Sequence, residues 1–277
     1  MFKQLKKLGL SLVALSLAFL IPAQALAQES SFAGETVSVG VVGDLGDEIW
    51  RYVADKAEKE AGIKVEVTLL TDYNQPNEAV MNGSLNMNAF QHVAFLNDWN
   101  EANDGDLVSL GYTFVTEMGI FSNKVDQLED LQEGATIAIP NDPTNGGRAL
   151  LALELAGLIE VDDAAGILAT PKDVTANPHQ LKFEELDAHQ VAQSLPDVDA
   201  GVLGTGLATD AGISIDEALF VDTEDLDQLD EAYRNVIAVR QGDQDNPLFQ
   251  KIVELFQSED VAKVINQASQ GGAIPAW

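Results

Sequence analysis

The stretch best equipped to do chemistry runs from Ile139 to Arg148 (IPNDPTNGGR). A β-branched run ends at Ile139, and turn-forming Asn, Asp, Pro and Gly fill 141–147 before an apolar helix opens at Arg148. Arg148 is therefore expected in the first helical turn, where a cation opposes the positive end of the helix dipole. A residue set against local preference points to function. Its planar guanidinium can take both oxygens of a carboxylate, and loops leaving strand ends are where α/β folds bind small ligands. The competing reading is a salt bridge to one of the chain's many acids. With no core packing assigned to the side chain, Arg148→Ala is expected to weaken ligand binding without unfolding the protein.

A second cluster spans Asp72 to Glu78 and Asn86 to Phe95. Tyr73, Phe90 and His92 offer flat apolar walls with polar edges, suited to gripping a flexible apolar side chain. Periodicity alone does not separate these residues from ordinary core, and His92 could equally cap or pair. Catalytic constellations are missing: there is no Cys nucleophile and no G-x-S-x-G elbow. The histidines, His92, His179 and His189, lack the spacing of a zinc set. Carboxylates are so plentiful that no pair stands out for acid/base work. No catalytic residue, metal or cofactor is assigned, and the chain is read as not an enzyme. The glycines of Gly40 to Gly46 and of Gly204 and Gly206 follow strands without matching G-x-G-x-x-G, so they read as tight strand-to-helix turns.

The elements that must hold these residues alternate. Strands are expected over 36–42, 63–70, 107–115, 136–139, 181–184, 199–203 and 235–240. Helices are expected over 47–61, 76–82, 91–102, 148–158, around 249–256 and over 260–268. Alternation of this kind argues for α/β layers. The pattern restarts near Gly119 and its last third returns toward the first part, giving two α/β lobes joined by crossing strands with the ligand between them.

Charge and the chain's start narrow the setting. Lys3, Lys6 and Lys7, the apolar run Leu8 to Ile21 and the small residues up to Ala27 form a secretory signal peptide pattern, 1–27. The apolar run is too short to span a bilayer. The whole chain carries 15 basic and 45 acidic residues, net −30, which makes nucleic acid and anionic lipid poor partners. The acidic run 222–231 lacks calcium-loop spacing and reads as a solvated face. There is no cysteine, so disulfides are excluded and the usual acceptor of an N-terminal lipid is missing. The expectation is a periplasmic protein without a membrane anchor.

Taken together, the blocks DY with PNEA after Asp72, NAFQH from Asn88, IPNDPTNGGRAL from Ile139, NVIAVR from Asn235 and GGAIPAW at the end resemble the NlpA/MetQ-type family of substrate-binding lipoproteins, which deliver methionine to an ABC permease. The resemblance implies a two-lobed periplasmic-binding-protein type 2 fold, its ligand cleft between lobes joined by two crossover segments. Lobe 1 would comprise 28–115 plus 232–277, and lobe 2 116–231. It implies a monomeric receptor for an amino-acid-type ligand, partnered by an ABC importer permease. By position Arg148 would clamp the α-carboxylate, Asn235 would contact the amino-acid head with Asn141 near it, and Tyr73, Phe90 and His92 would wall the side-chain pocket.

The chain departs from that family where specificity is set. Gly204 and Leu207 stand where methionine-binding members carry Asn and Tyr, and Thr116 and Glu117 fall where a tyrosine-proline pair is common. One lost polar partner costs about 1–3 kcal/mol, so the ligand is expected to be methionine bound more weakly, or a related amino acid, derivative or short peptide. The alternative is an adhesion, chaperone-like or signalling protein on the same fold with a degenerate pocket.

Overall fold

The computed structural model describes residues 32–223 and 229–277; the expected signal peptide lies outside them. The first half contains β1 (Thr36–Val42), α1 (Gly43–Ala61), β2 (Lys64–Leu70), α2 (Gln75–Met81), β3 (Met87–Asn88), α3 (Val93–Asn103) and β4 (Leu107–Tyr112). It continues with β5 (Phe114–Thr116), β6 (Met118–Phe121), β7 (Thr136–Pro140), α4 (Pro143–Leu155), β8 (Glu160–Val161), β9 (Val174–Ala176) and β10 (Lys182–Leu186). The remainder holds α5 (Ala188–Ser194), β11 (Ala200–Gly204), α6 (Thr205–Asp210), β12 (Phe220–Val221), β13 (Val236–Arg240), α7 (Pro247–Phe256), α8 (Glu259–Ala268) and β14 (Ala273–Pro275).

Two five-stranded sheets organise the molecule. The first has the order β2-β1-β3-β13-β4 and the second β10-β7-β11-β6-β12. In the first, β1 runs parallel to β2 and β3, and β13 pairs antiparallel with β3 and β4. In the second, β7 is parallel to β10 and β11, while β6 pairs antiparallel with β11 and β12. Each sheet has its own core. Val37, Val39, Val41, Ile49, Trp50, Ile237 and Phe256 pack in the first, and Ile120, Ile137, Ile139, Leu150, Leu153 and Val202 in the second. β7 and β11 are buried on both faces, Ile137, Ile139 and Val202 alternating with small or aliphatic Ala138, Gly201 and Leu203, as strands covered by helices require. The chain thus has the two-lobed α/β architecture of periplasmic binding proteins, crossing between its sheets before β6 and again after β12. β5, on the first crossing, pairs antiparallel with the C-terminal β14.

Two helices begin earlier than the sequence indicates. α4 starts at Pro143, where the Asp142 side chain accepts from the Asn145 N–H and proline occupies the first turn. Gly146 and Gly147 therefore lie inside the helix and not in a loop. Their reason is steric: a Cβ on Gly147 would overlap the Ile167 carbonyl oxygen, and one on Gly146 would come within 2.7 Å of the Pro140 carbonyl oxygen. Arg148 consequently sits in the second turn of α4, and the helix-dipole argument for it fails. α1 starts at Gly43 with no cap from its own N-cap side chain. Its first amides are met from far along the chain, by Asp210, which local sequence could not reveal.

Candidate functional site

Between the sheets lies a cavity of about 110 Å³. Tyr73, Phe90, His92 and Asn235 reach it from the side of the first sheet, and Asn145, Arg148, Gly204, Leu207 and Asp210 from the side of the second. Thr116 and Tyr233 line it from the crossing segments.

Arg148 is 5% exposed and fully engaged on one edge. Its Nε donates to Asp222 Oδ2 at 2.7 Å, and one Nη2 hydrogen goes to the Thr116 carbonyl at 2.9 Å. The guanidinium stacks on the Tyr233 ring, 4.4 Å from its centroid. A guanidinium has five N–H donors, and Nη1 makes no such bond among the described residues. Arg148 thus makes the salt bridge of the competing reading and lines the cavity as well: an acid fixes the fork, and the fork borders the cavity. The pair also overturns the expectation that Arg148→Ala spares the fold, because the Asp222 carboxylate, 6% exposed, would be left buried without its partner.

His92 is the N-cap of α3, its Nδ1 accepting from the Phe95 N–H at 3.1 Å. Nε2 then carries the proton and donates to Asn145 Oδ1 at 3.2 Å, a bond that joins the two lobes. Burial, then the nearby Arg148 charge, pushes the imidazole pKa down to about 4. His92 is therefore neutral at physiological pH, a donor and not a counter-ion. Its segment is fixed by a buried amide network in which Asn77 bonds Gln91 and Asn88 at 2.6–2.8 Å. Asn235 forms a bridge to His92 and sends its side-chain N–H to the Phe114 carbonyl at 3.0 Å.

The aromatic wall is continuous. Tyr73 lies 5.6 Å from Phe90 and 5.8 Å from Phe95 between ring centroids, and meets His189 of the other lobe edge-on at 4.8 Å. Burial foremost raises the Tyr73 phenol above its ordinary value, so it stays protonated. Across the cavity, Asp210 accepts from the Asp44 and Leu45 N–H groups of α1 at 3.1 and 3.2 Å. A further link between the lobes runs from Thr205 Oγ1 to the Gly272 carbonyl at 3.1 Å.

Of the residues singled out from sequence, Tyr73, Phe90, His92, Arg148, Asn235, Thr116, Gly204 and Leu207 all reach this one cavity. Asn141 does not: it is exposed, and its backbone N–H continues the β7–β10 pairing to the Leu186 carbonyl. Asn145, one helical turn before Arg148, takes the place expected for it. Glu117 is half-buried outside the lining, and its carboxyl pKa is raised by burial and then by Asp222. Asn145 was legible in principle, since it follows from starting the helix at Pro143. Tyr233, Asp222 and Asp210 carry no local signal and enter only through the tertiary fold. Among the described residues no group of His, Asp and Glu is placed to hold a metal ion.

The chain has close counterparts among known proteins. The D-methionine-binding lipoprotein MetQ of Salmonella typhimurium is 35% identical over 244 residues, 87% of this chain and 88% of the relative. A nutrient binding protein from Burkholderia cenocepacia, solved bound to methionine, superposes with a TM-score of 0.82 at 36% identity, covering 87% of this chain and all of that one. The substrate binding protein of a methionine transporter from Streptococcus pneumoniae gives a TM-score of 0.81 at 35% identity, covering 87% and 96% of the two chains. The family model for the NlpA lipoprotein matches residues 37–277. With a match of that extent, the chain belongs to the NlpA lipoprotein family.

Proposed function

We propose that this protein is an extracytoplasmic receptor for a small amino-acid-type ligand, which it encloses by lobe closure and delivers to the permease of an ABC importer. The observation that carries the reading is the meeting of Arg148 and Asn235 in one cavity, beside the aromatic wall of Tyr73 and Phe90. The ligand α-carboxylate takes the Nη1 edge of Arg148, the head meets Asn235, and the side chain lies along the aromatic faces. Relatives named for methionine binding and transport support the ligand class. The site is read as binding its ligand unchanged, with no reaction ascribed to it.

The lobes divide in this reading into 28–115 plus 232–277 and 116–231, supported by the assignment of every strand of the first sheet to 36–112 and 236–240. In this reading a cleaved leader, 1–27, exports the receptor to the periplasm, and the receptor is taken to act as a monomer. The chain has no cysteine for a lipid, unlike what the name of its lipoprotein relatives implies.

Native mass spectrometry of the purified protein, followed by calorimetric titration with amino acids and dipeptides, tests the proposal. A bound amino-acid-type mass, or titration that saturates at one site, is the expected result. The Asp222 pair on Arg148 and the missing side chain at Gly204 favour a second reading, a degenerate pocket on an adhesion, chaperone-like or signalling protein. A melting temperature that no metabolite in a broad screen shifts would favour that reading over the first.

A further inference from the structure

Asp210 is a group in the cavity that the receptor reading leaves unused. Its carboxylate stands at the end of α6, half-buried, and its oxygens face the Asp44 and Leu45 N–H groups across the cleft. Among the described residues no Lys or Arg forms an ion pair with it. Its charged or titratable neighbours are Asp44 on α1, Tyr73 on the aromatic wall, and His189 on α5, whose Nδ1 faces Asp187. Burial is the main cause that raises the Asp210 carboxyl, with the two amides opposing it. An anion closed into a cavity without a counter-charge is costly.

Arg148 lies in different company, with Asp222, Thr116 and Tyr233. Its charge is already balanced by Asp222, whereas Asp210, the one carboxylate in the cavity lining among the described residues, is held by the two α1 amides and the nearby His189 ring with no Lys or Arg beside it. Two other positions of the lining, Gly204 and Gly206, carry no side chain. A Cβ on Gly204 would meet nothing within 4 Å, and its backbone is ordinary extended chain (φ −63°, ψ 141°). Gly206, inside α6, would bring a Cβ no closer than 3.7 Å to Leu45. Glycine weakens a helix, and neither position needs it for backbone or packing. The room they leave suits part of a ligand.

We propose that the ligand is an α-amino acid whose side chain ends in an amine or guanidinium, with its α-carboxylate on Arg148 and its distal cation on Asp210. The inference rests on the receptor reading above and assigns Asp210 as the residue that sets specificity. The aliphatic stem of such a ligand fits the apolar wall, and the Tyr73 face offers the cation a second, weaker attraction.

The test is calorimetric titration of the intact protein with L-lysine and with L-norleucine, the same carbon skeleton without the terminal ammonium, and with L-methionine. Lysine is expected to bind at least about tenfold more tightly than norleucine, the size of one charge-assisted contact. In Asp210→Asn, which keeps the shape and an acceptor for the α1 amides, that ratio falls toward one through loss of lysine affinity. Norleucine or methionine binding more tightly than lysine in the unsubstituted protein overturns the inference and leaves the receptor reading standing; this comparison needs no variant to fold. An equal loss for lysine and norleucine in Asp210→Asn overturns it too, reducing Asp210 to a cap of α1. No binding of any of the three, with no ligand in the native mass spectrum, overturns both.

Discussion

At the scale of single residues, the decisive fact is that Arg148 both pairs with buried Asp222 and lines the cavity proposed to hold the ligand. Removing it leaves a buried Asp222 carboxylate unpaired, which costs about 3–5 kcal/mol. Arg148→Ala is therefore expected to lower stability by that amount in chemical denaturation as well as abolish ligand binding. Replacing the pair with apolar side chains, Arg148→Met with Asp222→Leu, recovers most of the stability while binding stays lost, because burying a charge pair contributes little net stabilisation. His92 supplies a pH dependence with a definite sign. Its folded pKa is about 4, against about 6.5 in an unfolded chain. Between those values the unfolded state binds the proton and the native state does not, so this contribution is complete above about pH 6.5 and drains away as pH falls toward 4. His92→Gln should remove the dependence, worth on the order of 3 kcal/mol over the whole window. Denaturant midpoints of the two proteins at pH 7.5 and 4.5 measure it by difference.

At the scale of elements, β1, β2, β7 and β11 were legible, whereas β6 was not expected, 107–115 divides into β4 and β5, and α1 and α4 start before their expected positions. β1 matches its expected range, 36–42, because its β-branched run is bounded by turn residues on one side and by Gly43 on the other. α4 was misplaced because a glycine pair reads locally as a loop, whereas here Gly146 and Gly147 let the helix pass close to the Pro140 and Ile167 carbonyls. A consequence follows for Gly147→Ala, which in an open helix would stabilise. Here the new methyl meets backbone that has little freedom to retreat, so a loss of about 1–3 kcal/mol is expected in thermal or denaturant unfolding. The cavity wall was legible wherever a residue stood in a distinctive block, as Tyr73, Phe90, His92 and Arg148 do. Asp210 and Tyr233 sit in unremarkable surroundings, and only the crossing of the chain between sheets brings them to the cavity.

At the scale of the molecule, the acidic surface acts on everything. A chain at net −30 repels itself when compact, and salt screens that repulsion over about 10 Å at 0.1 M. The melting temperature is therefore expected to rise between 10 mM and 1 M sodium chloride, and a scan at constant pH reads it out; a flat or falling series would contradict this. On the proposed site screening would act in the opposite direction, weakening the attraction of a charged ligand to Arg148 or Asp210.

The chain's final strand has a mechanical meaning. β14 lies along β5, Gly272 receives the Thr205 hydroxyl, and the Trp277 ring rests edge-on against Phe256 at 5.7 Å. The tail is thus a splint laid over the joint: swivelling one half against the other must first peel or slide it. Those few residues add to the stiffness that the His92–Asn145 and Asp210–α1 bonds give the joint, so loosening the tail slackens it while each sheet keeps its own core.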